Sequence, residues 1–397
     1  MRKLLTCLSM AMLAGVSLLA QSDILPPVVR NLDSDVHPVI VQSSDSAIQN
    51  LLTKAFDLHG AYSVSASDKA NFTFRVSPEG PDSVTLEILS GSPLQSLFKA
   101  SVRGSSQTDA ALRAADLAVT KTSGLKGIFS GKIAFVGQRN GATELYMGGL
   151  LFNEVRQLTQ DNARCVRPTI SPDGSRILYT SYYRNGFPDI YSIDLASGKR
   201  DVFLSFNGVN TGASFSPDGS SVAMILSGTG NAELYTISSV GKDMKRLTKN
   251  KSIESDPSWS PDGSRLVFVS DLPGKPQLFL MSANGGNMDR LPTNISNYCA
   301  EPSWNKVNGN LIAFTISQGG SFEVAVYDMS TGESRTVSQG VGDAVEPVWT
   351  SDGRHLIYTE RTPNRRRLVL LDTKTGHKGY LHGADWGDAS QADFFSR

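Results

Sequence analysis

The sequence predicts a mainly β protein, a six-bladed β-propeller preceded by a small α+β domain, and three observations carry that prediction. A turn, Ser171-Pro172-Asp173-Gly174, recurs as Ser216-Pro217-Asp218-Gly219 and Ser260-Pro261-Asp262-Gly263, with a reduced copy at Ser351-Asp352-Gly353. A bulky residue stands just before each turn position: Ile170, Phe215, Trp259, Trp304 and Trp349, at spacings of 45, 44, 45 and 45. Trp304 holds the register although its turn reads Asn305-Lys306-Val307-Asn308-Gly309. Each turn then leads into an apolar strand and a second strand of one type, such as Leu234-Tyr235-Thr236-Ile237 or Leu278-Phe279-Leu280-Met281. Proline presets φ, aspartate bonds its own backbone and glycine takes the left-handed conformation, so the tetrapeptide is a hairpin corner.

Taken in order, Met1-Arg2-Lys3 followed by the apolar run Leu4 to Ala20 reads as a secretion signal, residues 1–20, cleaved near Ala20 and carrying Cys7 away. Residues 21–122 form the α+β domain. Ser44 caps a helix with Ile48, Leu51, Leu52 and Ala55 on one face and Gly60 past its end. Phe72 to Val76 and Val84 to Leu89 alternate around a Pro/Gly turn as a hairpin, and Leu97 to Val102 add a strand. Asp109 to Thr120 form a second helix with Leu112, Ala115 and Val119 inward, and Lys121 to Gly131 are a linker. Residues 123–397 are the propeller, with middle strands from Lys132-Ile133-Ala134-Phe135-Val136 to His355-Leu356-Ile357-Tyr358. The first unit lacks its own inner strand, while the end of the chain carries an orphan aromatic near Ala384-Asp385-Trp386. The C-terminal segment is therefore expected to supply the inner strand of blade one and close the ring.

The chain has 38 basic and 38 acidic residues, so no domain-wide field attracts nucleic acid. Cys165 and Cys299 each lie five residues before their bulky marker, in blades two and five, on opposite sides of the channel. A disulfide needs Cα atoms within about 7 Å, so both are expected unpaired. A thiol-held metal site would need further ligands nearby, and the prediction is of no metal and no cofactor. His37, His59, His355, His377 and His382 fall in no repeated register; His355 begins a strand and the others read as loop or surface. Arg361, Arg365, Arg366 and Arg367 flank a Pro-Asn turn and read as an exposed hairpin.

Loops before the inner strands gather at one mouth of the channel, the natural binding face. Three positions before the markers stand Arg167, Gly212, Asp256, Glu301, Glu346 and, for blade one, Gly383. Two readings stand for this rim: solvated loop acids, or a polar ring that orients a protein partner or traps a cation.

The signal, the α+β domain and the turn-marked propeller together resemble the TolB family of the Tol-Pal envelope system. The run Leu125-Lys126-Gly127-Ile128-Phe129-Ser130-Gly131 is similar to that family's junction, and Glu301-Pro302-Ser303-Trp304 and Glu346-Pro347-Val348-Trp349 to its blade starts. The resemblance implies a monomeric, non-enzymatic periplasmic adaptor, peripheral to the membrane. It would bind a peptidoglycan-associated outer-membrane lipoprotein and serve envelope integrity and cell division. That lipoprotein contact maps onto Val209, Asn210, Gly212, Ser255, Asp256, Ala300, Glu301 and Glu346. Inner-membrane Tol proteins are the second partner class, reached through the N-terminal part, where this chain reads Gln21-Ser22-Asp23-Ile24-Leu25-Pro26-Pro27-Val28-Val29 in place of a short Arg-Ile-x-Ile strand. The alternatives are a secreted propeller that binds peptides or glycans, or a propeller hydrolase or lyase. A prolyl-oligopeptidase-type hydrolase needs a Gly-x-Ser-x-Gly elbow, which the chain does not contain; no catalytic residue is assigned.

Overall fold

The structure, a computed structural model, describes residues 36–65, 69–139, 141–184 and 186–396. The expected secretion signal, Cys7 and the Gln21-to-Val29 segment lie outside the described residues. The α+β layer comprises strands β1 (His37–Gln42), β2 (Tyr62–Val64), β3 (Phe72–Pro78), β4 (Ser83–Ser90) and β5 (Gln95–Arg103), with helices α1 (Ser46–His59) and α2 (Gln107–Ser123). The sheet order is β2-β1-β3-β4-β5, parallel around β1 and antiparallel through the β3-β4-β5 meander.

Helix α1 is capped by Asp45 and not by Ser44. The Asp45 carboxylate accepts from Ala47 N at 2.8 Å and Ile48 N at 3.0 Å, adding a full negative charge at the positive end of the helix. Gly60, at φ 74°, ends it as expected. The expected linker is not free. Helix α2 runs on to Ser123, and the Asp116 carboxylate accepts from Phe129 N at 2.7 Å, Ser130 N at 3.0 Å and Ser130 Oγ at 2.5 Å. Gly127 lies so close beneath that a Cβ there would come within 2.2 Å of the Asp116 Cβ.

Six four-stranded antiparallel sheets follow, the blades of the propeller. Their inner strands are Asp388–Phe395, Cys165–Ile170, Asn210–Phe215, Glu254–Trp259, Cys299–Trp304 and Asp343–Trp349, for blades one to six. Blade one is closed by the C-terminal strand, whose Ala389 pairs with Gly137 and Phe394 with Ile133. The aromatic that suggested closure is not on that strand: Trp386 sits in a short 3-10 turn and packs outside, edge-on to Phe135, Tyr146 and Phe152.

The 45-residue period persists because the inner strands are stitched blade to blade. Ser258 Oγ accepts from Trp304 N at 3.0 Å, Ser303 Oγ from Trp349 N at 3.4 Å, and Asp393 Oδ2 from Ile170 N at 2.7 Å. The Trp259 and Trp349 indoles donate back to the carbonyls of Ser214 at 2.9 Å and Ser303 at 3.1 Å. A marker side chain thus satisfies its own polar edge while filling the gap between blades.

The α+β layer packs on the turn side and outer edge of blades six and one. Phe56, Phe129, Leu151, Ile357, Leu368 and Leu381 share one core, and Lys54 Nζ donates to the carbonyl of Leu381 at 3.2 Å. The reduced turn of blade six is rebuilt for this contact. Arg354 makes two bonds to Asp372, at 2.9 and 2.6 Å, and His355 Nδ1 lies 2.6 Å from Asp352 Oδ2 while its Nε2 meets the carbonyl of His59. Burial alone would lower the His355 pKa, but the Asp352 carboxylate and the His59 carbonyl raise it on balance. Two histidines, His59 and His382, depart from the expected loop or surface setting. His59 and His355 are wholly buried with ring centroids 4.4 Å apart, and His382 is buried against Phe152 and Trp386, whereas His377 is exposed.

Candidate functional site

Each inner strand carries a β-bulge at the same place, between Ser255 and Ser258 in blade four and at the matching positions of the other five. The bulged residue takes a left-handed backbone: Arg167 φ 54°, Gly212 66°, Asp256 54°, Glu301 53°, Glu346 57° and Gln391 52°. Five of these six are not glycine, a conformation that costs about 1 kcal/mol or more each and persists only when the surroundings enforce it. The bulge turns these residues inward, where they line one cavity of about 190 Å³ in the channel. The prolines that follow four of them, Pro168, Pro257, Pro302 and Pro347, line the same cavity.

Blade one is represented by Gln391. Gly383 caps the short 3-10 turn before the closing strand and has no place on the rim. The signal for this was present: one more period after Trp349 gives Phe394, and three positions back is Gln391.

The rim is committed to the ring itself. Glu301 Oε2 accepts from Glu346 N at 2.9 Å and Thr315 Oγ1 at 2.8 Å. Glu346 accepts from Gln391 Nε2 at 2.7 Å and Thr359 Oγ1 at 2.8 Å, and Gln391 Oε1 accepts from Arg167 N at 2.8 Å. Burial, then the neighbouring Glu301, push the Glu346 carboxyl above its usual range. Arg167, expected opposite the acids, reaches Asp256 two blades away and forms an ion pair. Gly212 in the intervening blade has no side chain to intrude. These carboxylates accept from neighbouring blades and one of them pairs with an arginine, so the cavity presents a hydrogen-bonded polar floor.

The remaining predicted residues divide by exposure. Asn210 is buried and staples its loop, donating to the carbonyls of Phe206 at 2.8 Å and Pro188 at 3.0 Å; Ala300 is also buried. Ser255 is part-buried and Val209 exposed. Around Val209 the structure adds what the sequence reading did not single out. Tyr183, Phe187, Phe206, Val209, Ile253 and Leu272, all 40–65 % exposed, stand on the mouth-side loops of blades two to four. Six large apolar side chains are thus left uncovered on adjacent loops of one side of the ring. The Arg365 and Arg366 hairpin is exposed as expected, while Arg361 pairs with Asp343 at 2.9 Å and Arg367 stacks on Tyr380. Both described cysteines are free and buried.

No helix among the described residues is long and apolar enough to cross a membrane. Residues 119–392 match the family described as the TolB beta propeller domain. Among curated proteins, the chain is 34% identical over 135 residues to a protein TolB homolog of Chlorobaculum tepidum, covering 34% of this chain and 30% of that protein. It is 34% identical over 127 residues to the Tol-Pal system protein TolB of Desulfosudis oleivorans, covering 32% and 28%. The matched stretch thus spans under a third of the length of these relatives. Among solved structures, TolB from Acinetobacter baumannii superposes with a TM-score of 0.82 at 24% identity, covering 91% of this chain and 97% of that one.

Proposed function

Because the chain belongs to the TolB β-propeller domain family, we propose that it is a periplasmic, non-enzymatic adaptor of the Tol-Pal envelope system. Its mouth-side face would bind a peptidoglycan-associated outer-membrane lipoprotein, in support of envelope integrity and division. The observation that carries the reading is the division of the ring's two sides. The contacts of the α+β layer fall on the turn side and outer edge, while the mouth side keeps an arc of uncovered apolar residues beside a polar channel floor.

The mechanism is presentation by a rigid scaffold. Backbone at the rim is locked by bulges and blade-to-blade hydrogen bonds, so little conformational entropy is lost on binding. The apolar arc through Val209 and Ile253 supplies buried area. Ser255, Asp256 and the Arg167 pair orient a polar segment of the partner over the channel. Glu301 and Glu346 act by holding blades five and six in register. Inner-membrane Tol proteins remain the second proposed partner class.

Binding of the purified chain to a peptidoglycan-associated lipoprotein from the same cell tests this. Wild type is expected to bind at micromolar affinity or tighter, and Val209→Asp with Ile253→Asp, at exposed positions that leave the ring bonds intact, to weaken it at least about tenfold. Full binding by the double variant moves the site off this face; no binding by wild type returns the protein to the reading of a propeller for peptides or glycans.

A further inference from the structure

The seam between α1 and blade six contains a group that the packing leaves unexplained. His59 is wholly buried, yet neither ring nitrogen has a hydrogen-bond partner, and such a loss costs about 1–3 kcal/mol. A ligand atom of His59, one of Asp352 and one of His355 all lie within 4.8 Å of one another. We propose that His59, Asp352 and His355 form a site for a divalent cation of the zinc class, which clips the end of α1 to blade six.

The donor set fits. Two imidazoles and one carboxylate suit a borderline ion such as Zn²⁺ and are poor for Mg²⁺ or Ca²⁺, which take oxygen ligands. The carboxylate is oriented from behind, because Asp352 Oδ1 accepts from Thr350 Oγ1 at 2.7 Å and Arg354 N at 3.0 Å, leaving Oδ2 to face the histidines. Arg354, the nearest fixed cation, is itself neutralised by Asp372 at 2.6 Å. In the structure His355 Nδ1 and Asp352 Oδ2 share a proton across 2.6 Å. The ion takes the place of that proton, which passes to solvent, and the two atoms part by roughly 0.7 Å to span the edge of a tetrahedron with bonds of about 2.0–2.1 Å. His59 gains most, since its nitrogen exchanges no bond for one.

Comparison of the turns shows how blade six differs. In blades two to four the second carboxylate oxygen of Asp173, Asp218 and Asp262 is occupied by the hydroxyl of Ser175, Ser220 and Ser264, at 2.8 Å each. In blade six that serine is Arg354, whose side chain turns away to Asp372, and the next residue is His355. The oxygen freed by this exchange is the one that points at the two histidines.

The test uses the full chain, with Zn²⁺ as the probe and a chromophoric chelator as competitor. Wild type is expected to bind one ion per chain, and Co²⁺ in its place, with water as the fourth ligand, to give the visible absorption of a four-coordinate ion with nitrogen ligands. At a hundredfold excess over Kd the melting temperature should rise by about 3 °C. His59→Leu, which removes no hydrogen bond of the ring, should melt near wild type without metal and bind Zn²⁺ at least about 100-fold more weakly; Asp352→Asn should bind as weakly. His377→Ala, at an exposed histidine, should bind as wild type does. Equal binding by wild type and His59→Leu, no bound ion in wild type, or binding without a rise in melting temperature each overturns the proposal. Should either variant fail to fold, the cobalt spectrum and stoichiometry of wild type decide alone.

Discussion

Substituting Asp116→Asn tests which of two opposed effects governs the crossing from α2 into the ring. The carboxylate accepts three hydrogen bonds, from Phe129 N, Ser130 N and Ser130 Oγ, and these favour its charge; burial opposes it. Burial wins, and the pKa rises from 3.8 to about 6. A group whose folded pKa is raised contributes stability fully below its unfolded value and loses it as pH climbs through the folded one. The gap between 3.8 and about 6 corresponds to about 3 kcal/mol, a ceiling because the side chain keeps some water contact. Asparagine cannot titrate. The assay is urea unfolding of both proteins at intervals from pH 4 to pH 7, with the difference in unfolding free energy as the readout. Wild type should lose ground to Asp116→Asn by up to about 3 kcal/mol as pH rises, most of it between about pH 4 and pH 6. A flat difference would mean that the donors and burial cancel. A difference of opposite slope, with wild type gaining as pH rises, would mean that the three donors dominate and would refute the reasoning.

Two further predictions concern the seam and the thiols. Gly60→Ala should cost about 1–3 kcal/mol and raise amide exchange in the last turn of α1, because the glycine sits at φ 74° and a Cβ would lie 2.8 Å from that of Asp372; unchanged exchange would show that the seam yields. Burial pushes the Cys165 thiol up to about 12 and raises that of Cys299, so neither should react with a thiol reagent at pH 8 until the chain is unfolded. Rapid labelling of the native protein, or a shift on a non-reducing gel, would contradict the burial described.

The repeat was legible because the blades solve one local problem with similar residues. Three corners spell Ser-Pro-Asp-Gly, and a bulky residue, tryptophan in three blades, marks the blade gap, so the period shows even where a turn has changed. The rim of blade one was missed at Gly383 although the period led to Gln391, because Trp386 offered a nearer aromatic. Glu301 and Glu346 stood out as acids, but their commitment to the next blade depends on a bulge that no local pattern announces. Asp45 and Ser44 compete for one cap, and the Asp45 carboxylate is the one that takes the first-turn amides. The meeting of His59 with His355 was not legible at all. The two lie 296 positions apart, and only the docking of α1 brings them together. Blade six did carry a trace of it, in the loss of proline and serine from its turn.

The closing strand has a consequence for the order in which the chain can fold. Ala389 pairs with Gly137 roughly 250 positions earlier, whereas the strands within a blade are joined by short local turns. Loop entropy grows as (3/2)RT ln n, so shutting the ring costs about 1.5 kcal/mol more than joining segments one period of about 45 residues apart. Individual blades therefore have a head start over closure, and this ordering favours a species with assembled blades and blade one still three-stranded. In that species the backbone of Lys132–Gln138 is bare along the channel, an unpaired edge that a foreign strand can capture before the chain's own strand Asp388–Phe395 arrives.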